Sequence, residues 1–434
     1  MSLADKSSLL FIPTGYKESK IYSVFPSTGV GDFTFNRNSS ATRIAKNGLI
    51  TSVATDIPRL EYPLIDGVVN GCPSLLLEPS RTNLITYSED FSQSIWSKAN
   101  TTITPNTSIS PDGSLNGGSL FETTANTYHD LSQSYVTSIG VVYHFSCFVK
   151  PNGRDYCYLY SNSEGDKAIK FDVKKGIIIG AALGTDTGSK ITNFDNGWYR
   201  IEMKTTATSS GNKLFVISPT NNGSSSIGAY VGDTSKGILV WGAMLEIGSY
   251  STSYISTTTA AVTRSAETAN GAGDATTFND SEGVLMAEIS ALADDGTVRS
   301  IAISGSVTND VVRFYYDGVS NGITAFVYDG AYQSVFTTVV NDITENNKIA
   351  FSYKLNEFKL FINGLQVGFT DTNGAIPNGL DGLKFDNGSG AEDFYGKTKQ
   401  IQYYNSALTD SELEQLTSWL SFTDMANGQL YTIE

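Results

Sequence analysis

The chain has 434 residues, 40% of them hydrophobic and 11% aromatic, a composition that excludes a mainly disordered protein. Its 29 Lys and Arg against 44 Asp and Glu leave a formal net charge of -15, which argues against a nucleic-acid-binding or anionic-membrane surface, since both need local positive potential. No apolar run approaches the roughly 18 residues of a membrane-spanning helix, and MSLADKSSLLFIPTGY lacks the charged start and long apolar middle of a signal peptide, so cytoplasmic synthesis without membrane insertion is expected.

The length predicts two or three domains. Residues 1–82 hold short strands interrupted by Pro26, Gly29, Pro58 and Pro63. Phe33, Phe35, Leu49 and Ile50 could bury one face, but too little for an isolated domain, so this arm is expected to pack on a neighbour. Leu75, Leu76 and Leu77, bounded by Pro73 and Pro79, read as a short buried strand. Glu78, Arg81 and Asn83 follow at once, a charged and amide-bearing turn suited to closing a domain seam. A parallel between SSATRIA at 39–45 and AAVTRSA at 260–266 suggests that the two ends of the intervening module lie side by side.

Residues 83–265 read as an all-β jelly-roll module, with strands at 143–149, 156–160, 168–173, 176–179, 198–204, 213–218 and 237–247. Tyr143, Phe145, Cys147 and Val149 alternate with His144, Ser146 and Phe148, and Pro151, Asn152 and Gly153 supply turn chemistry. Trp198 and Trp241 lie within the strand pattern and read as core. The exposed aromatic candidates are Trp96, Tyr128, Tyr156, Tyr158 and Tyr160, with Asn152, Arg154 and Asp155 nearby. Sugar rings present apolar faces that stack on flat aromatics while polar groups bond their hydroxyls, so such a stripe could hold a glycan; the other reading is a half-packed strand. Cys72, Cys147 and Cys157 are too few for a disulfide framework, and although Cys147 and Cys157 could meet across a hairpin, free thiols fit a reducing cytosol.

The Ser-, Thr-, Gly- and Ala-rich stretch 249–277 reads as a linker tied down at its start. Residues 266–434 then form a second sandwich, with strands at 283–289, 299–304, 310–316, 322–328, 347–354, 357–362, 365–370 and 397–404. Phe358, Leu360 and Ile362 alternate before an Asn363-Gly364 hairpin turn. Thr409 with Glu412 three residues on predicts a capped short helix over 408–419. Tyr328 and Tyr332 complete the aromatic candidates. Asp294, Asp295, Asp317, Asp329, Asp381, Asp386 and Asp393 are available oxygen ligands for Ca2+, or plain solvated turns, and no EF-hand spacing is present.

No catalytic motif stands out. His129 and His144 are the only histidines, and no phosphate loop, zinc-spaced Cys/His set or nucleotide fingerprint occurs. Glycoside hydrolysis needs two carboxylates, which an acidic chain cannot exclude, but no closely spaced acidic strand motif is seen. A non-enzyme is expected.

Three segments carry a resemblance. CPSLLLEPSRTNLITYSEDFSQSIWSK at 72–98, GDFTFNRNSSATRIAKNGLITSVATDIPRLEYP at 31–63 and VWGAMLEIGSYSTSYISTTTAAVTRSAE at 240–267 resemble a family of bacteriophage fibre- or spike-like virion proteins found on heads or tails. NGWYRIEMK at 196–204 and VWGAMLEIG at 240–248 are similar to carbohydrate-binding-module jelly rolls, and 266–434 resembles a laminin-G or concanavalin A-like sandwich. The resemblance implies a virion protein attached to other virion proteins through residues 1–82, with two sandwiches meeting host-surface glycan. It also implies a homo-oligomer, a trimer being usual for fibres, although no coiled-coil heptads support that number. A purely structural head or tail adaptor and a capsule-degrading enzyme stay open beside it.

Overall fold

The computed structural model describes residues 3–13, 19–306 and 310–419. Side chains that alternate inward and outward every second residue dominate the chain, and the fold is all-β, with one α-helix, Asp410–Thr417, among the described residues. Residues 420–434 of the expected second sandwich lie outside them.

The first sandwich is two six-stranded antiparallel sheets. The front sheet runs Ser97–Ala99, Asp130–Thr137, Gly211–Thr220, Tyr156–Ser161, Lys167–Asp172, Ile177–Leu183. The back sheet runs Thr101–Ser108, Gly117–Glu122, Gly237–Ile247, Val142–Asn152, Trp198–Thr206, Lys190–Phe194. Phe145, Cys147 and Val149 from the back face Cys157, Leu159, Ile169 and Phe215 from the front in one buried core. The strands flanking PNGRD are therefore not a hairpin: they belong to different sheets, and Cys147 and Cys157 are buried free thiols.

The second sandwich draws strands from both ends of the chain. One sheet pairs Gly396–Tyr404 with Leu9–Phe11, with Ser74–Leu77 and with Glu282–Ala291, and continues through Asn347–Lys354 and Glu357–Ile362. The other runs Thr34–Asn36, Thr268–Ala272, Gly382–Lys384, Arg299–Ser304, Val311–Tyr316, Gly322–Tyr328, Tyr332–Val339. Leu9, Phe11, Phe33, Leu75 and Leu77 thus share a core with Phe314, Phe351, Leu360 and Tyr403. The early segment packs on a neighbour because its strands are edge and filler strands of that sandwich. Asn363 and Gly364, both with positive φ, close the hairpin that pairs Ile362 with Leu365. The helix carries the capping box of Thr409 and Glu412 and lays Leu413 and Leu416 on Met286, Phe361 and Tyr404.

The first sandwich is an insertion into the second. Arg81–Asn83, leading in, pairs antiparallel with Val262–Arg264, leading out, with Thr82 opposite Thr263. The stretch 249–277 is not a loose linker: Tyr254 and Ile255 are buried against Trp241 and Met244, and Thr268–Ala272 is a sheet strand.

At this junction lies a buried charge network. Arg59 reaches both Glu267 (Nε to Oε1, 2.8 Å) and Glu78 (Nη1 to Oε2, 2.8 Å). Arg37 Nη1 donates to Glu267 Oε1 at 2.7 Å, and Arg264 Nη1 lies 2.9 Å from Glu78 Oε2. These side chains are between 0% and 4% exposed. Removing one partner from a buried pair strands the other charge and costs ~3–5 kcal/mol. Glu267→Ala should therefore lower the urea unfolding midpoint sharply; a midpoint within error of the parent would show that the network contributes nothing.

Burial alone would push the Glu78 carboxyl up, but Arg264, Arg59 and the Ser253 donors hold it well below the usual carboxylate range. Folded Glu78 therefore binds fewer protons than unfolded, so its contribution is complete above an ordinary glutamate pKa of about 4.3 and is lost as pH falls below it. Unfolding midpoints taken from pH 7 to pH 3 should decline, and Glu78→Gln should flatten part of that decline.

Candidate functional site

Each sheet of the first sandwich has an outer face. On the back sheet that face is covered: Phe148, Trp241 and Met244 pack against Ile50, Tyr254 and Ile255. Its polar residues are also engaged, with Arg200 Nη1 donating to Thr252 O at 2.7 Å and His144 Nδ1 2.7 Å from Ser251 Oγ. Burial, despite Glu202, brings His144 down to about 4, so the imidazole is neutral.

The front sheet's outer face carries a groove of about 670 Å³. Strand alternation builds it: Tyr158 and Tyr160 from one strand, Leu214 and Val216 from the next, and Asp130, Ser132 and Ser134 from the third all point the same way. Ile95, Ser97, Ala99, Tyr128, Asp166, Leu183 and Ile227 complete its walls. The Tyr158 hydroxyl donates to Asp130 Oδ1 at 3.1 Å and the Tyr160 hydroxyl to Asp166 Oδ1 at 2.6 Å. Burial pushes the Asp130 carboxyl above its ordinary value, against the hydrogen bonds it accepts. Burial and then the Asp166 partner push the Tyr160 phenol up as well, so both phenols stay protonated donors.

Lys170 lies opposite Tyr158 in the register, fully buried, its Nζ bound to Asn222 Oδ1 at 2.7 Å and Ser226 O at 2.9 Å. It pins the loop that brings Ile227 to the groove wall. Burial lowers its ammonium to about 8.

The structure thus gathers Tyr128, Tyr158 and Tyr160. Tyr156 shares their strand face but sits under the loop at Gly223, where even a Cβ would lie 2.8 Å from the ring. Trp96 is a correction: it is 1% exposed, edge-on to Phe91, with its indole N–H donated to Tyr87 O at 3.1 Å. It is core because the strand that follows turns Ser97 outward in its place. Tyr328 and Tyr332 lie on the second sandwich, in edge contact with each other and, through Tyr332, with Phe326, 5.4 and 5.0 Å between ring centroids. Arg154 is bound bidentately to Glu122 and Asp155 pairs with Lys174, so neither reaches the groove. Asn152 reaches only Ser119. Sequence reasoning missed Asp130, Ser132, Ser134 and Asp166; the alternation in Asp130-Leu131-Ser132-Gln133-Ser134 was the available signal.

The aspartates named as available calcium ligands are dispersed. Among the described residues no three acidic, His or Cys side chains gather closely enough to hold a metal ion. Asp295 is engaged by Arg299, Asp294 by Ser320, Asp317 by Thr324, Asp386 by Asn270, Asp381 by the Ser306 amide and Asp393 by Tyr395. Asp329 closes a turn through its backbone to Ala331. A second cavity, about 410 Å³ between the sandwiches, mixes Lys190, Lys397 and Lys399 with Glu61, Glu202 and Glu345. Among the described residues no helix is long and apolar enough to cross a membrane.

No known protein family matches the chain, and no curated protein does. Several solved structures match part of it. The CBM40 of Ruminococcus gnavus IT-sialidase bound to α2,3-sialyllactose is 19% identical, covers 34% of this chain and 87% of its own, and has a TM-score of 0.29. Domain 4 of AbnA, a GH43 extracellular arabinanase from Geobacillus stearothermophilus in complex with arabinotriose, is 13% identical, covers 35% and 73%, and has a TM-score of 0.29. The botulinum neurotoxin type G receptor binding domain is 14% identical, covers 34% and 38%, and has a TM-score of 0.25.

The burial of Trp96 separates it from the groove tyrosines in a measurable way. Trp96→Ala should cost ~3–5 kcal/mol of stability, as large-to-small core changes do, seen as a lowered melting temperature. A melting temperature equal to the parent's would return Trp96 to the surface.

Proposed function

We propose that the chain is a glycan-binding protein whose first sandwich holds the sugar in the front-sheet groove. The observation that carries this reading is the floor of Tyr158 and Tyr160, walled by Tyr128 and edged by Asp130, Asp166 and three serines, on the outer face of the front sheet. Aromatic faces supply apolar stacking area and the oxygens around them accept from sugar hydroxyls, the combination that small-molecule sites use for orientation. Binding, not hydrolysis, is the activity proposed, with the glycan recovered unchanged.

The finer setting rests first on sequence resemblance. Residues 31–98 and 240–267 resemble phage fibre or spike proteins, which supports a virion component, on head or tail, that presents the groove to host-surface glycan. Attachment to other virion proteins through the early segment, and assembly as a trimer, belong to the same proposal. The exposed apolar side chains Ile12, Val24, Phe25 and Val30 support an attachment surface there. The reading as a structural adaptor differs in leaving the groove empty.

A glycan array followed by titration calorimetry on the full chain tests the reading. Tyr160→Ala and Tyr128→Ala should each weaken the best glycan at least about fivefold, the loss of roughly 1 kcal/mol expected of an aromatic anchor. Tyr328→Ala and Tyr332→Ala should leave it unchanged. Binding that survives both groove variants, or no binding to any glycan, would overturn the assignment.

A further inference from the structure

The groove's only charges are negative, and its neutral donors are the hydroxyls of Ser97, Ser132, Ser134 and Tyr128. Its lining residues include two carboxylates, Asp130 and Asp166, and no Lys, Arg or His. The floor's two phenolic protons are directed inward to those carboxylates. A carboxylate can accept up to about four hydrogen bonds, so each keeps acceptor capacity for a ligand after taking one phenol. The neighbouring cations are committed elsewhere. Lys170 is buried on the Asn222 and Ser226 oxygens, and Lys167, 2% exposed, is held by Glu164 and Thr187. Recognition of a sugar carboxylate calls for a guanidinium, an ammonium or a set of free N–H donors, and the lining offers none of the charged ones. A ligand carboxylate would instead meet two like charges, the half-buried Asp130 and the exposed Asp166, on a protein that is net acidic.

We propose that the groove selects glycans that carry no acidic group: uncharged, hydroxyl-donating sugar units enter, and sialic acids and uronic acids are rejected by Asp130 and Asp166. This rests on the glycan-binding reading above and adds to it the charge class of the ligand. Tyr158 and Tyr160 stand two residues apart on one strand, roughly 6–7 Å, each with its own aspartate, so rejection applies along the groove and not at one point.

The test is calorimetric titration of the full chain with matched neutral and acidic probes: lactose against 3′-sialyllactose, and methyl-esterified oligogalacturonides against the free acids. The neutral member of a pair should bind at least about tenfold more tightly, a difference of roughly 1.4 kcal/mol. Asp166→Asn, at an exposed position, and the Asp130→Asn/Asp166→Asn double variant should narrow that ratio, while Tyr160→Ala weakens the neutral probe. An acidic probe that binds as tightly as its neutral partner and is lost in Tyr160→Ala overturns the charge selection and leaves the glycan groove standing. A ratio unchanged in both asparagine variants overturns the role of the two aspartates. No binding of either class, to protein with an intact melting transition, removes the glycan reading itself.

Discussion

The structure depends on the ion network in which Arg59 bridges Glu267 and Glu78. Its members come from separated places: Arg37 and Arg59 in the early segment, Glu78 just before the first sandwich, Arg264 and Glu267 just after it. Isolated burial of any of these charges would cost several kcal/mol. The cost is offset only when every member is present, so the network rewards a single arrangement of the two sandwiches. Glu267 also accepts from the Glu78 backbone amide at 2.8 Å, tying the two ends of the inserted sandwich to each other directly.

That clamp decides which surface is left for function. By closing the insertion at its base, it brings residues 41–53 and 250–257 against the back sheet, so that Phe148, Trp241 and Met244 become interior. The same strand pattern of large apolar and small polar residues occurs on the front sheet, and there the loop at Asn222 to Ile227 covers Tyr156 and Lys170 but leaves Tyr160 and Tyr128 open. The groove is thus a consequence of topology: one sheet of the sandwich was buried twice and the other once.

This asymmetry explains what could be read from the residues. Strands whose alternation is strongly apolar were legible nearly to the residue, as in Arg299–Ser304, Gly322–Tyr328, Asn347–Lys354 and Glu357–Ile362, and so was the capped helix. Thr101–Ser108 was not, because a polar edge strand that contains Pro105 has no apolar period to detect. Asp130–Thr137 was hidden for a related reason: its outward positions are the polar groove residues themselves, which flatten the alternation. Tyr158 and Tyr160 were legible as candidates because aromatics on one strand face stand out. Trp96 failed because exposure there depends on which neighbour turns outward, and the insertion of one sandwich into the other is a long-range pairing that only the echo of residues 39–45 in 260–266 hinted at.

The tyrosine-aspartate pairs also bear on how the groove can bind. A phenol that already donates to a carboxylate has its ring plane fixed before any ligand arrives, and tyrosine has little rotamer freedom left to lose. Lys170 does the same for the wall, holding Asn222 and Ser226 so that Ile227 stands in place. A ligand entering the groove would leave these hydrogen bonds unbroken, so this part of the ordering cost is met during folding. The arrangement has a second consequence that follows from the first: the Tyr158 and Tyr160 phenols, spent on internal acceptors, cannot serve a ligand as donors, so the rigidity of the floor and the loss of its two phenolic donors arise from the same two hydrogen bonds.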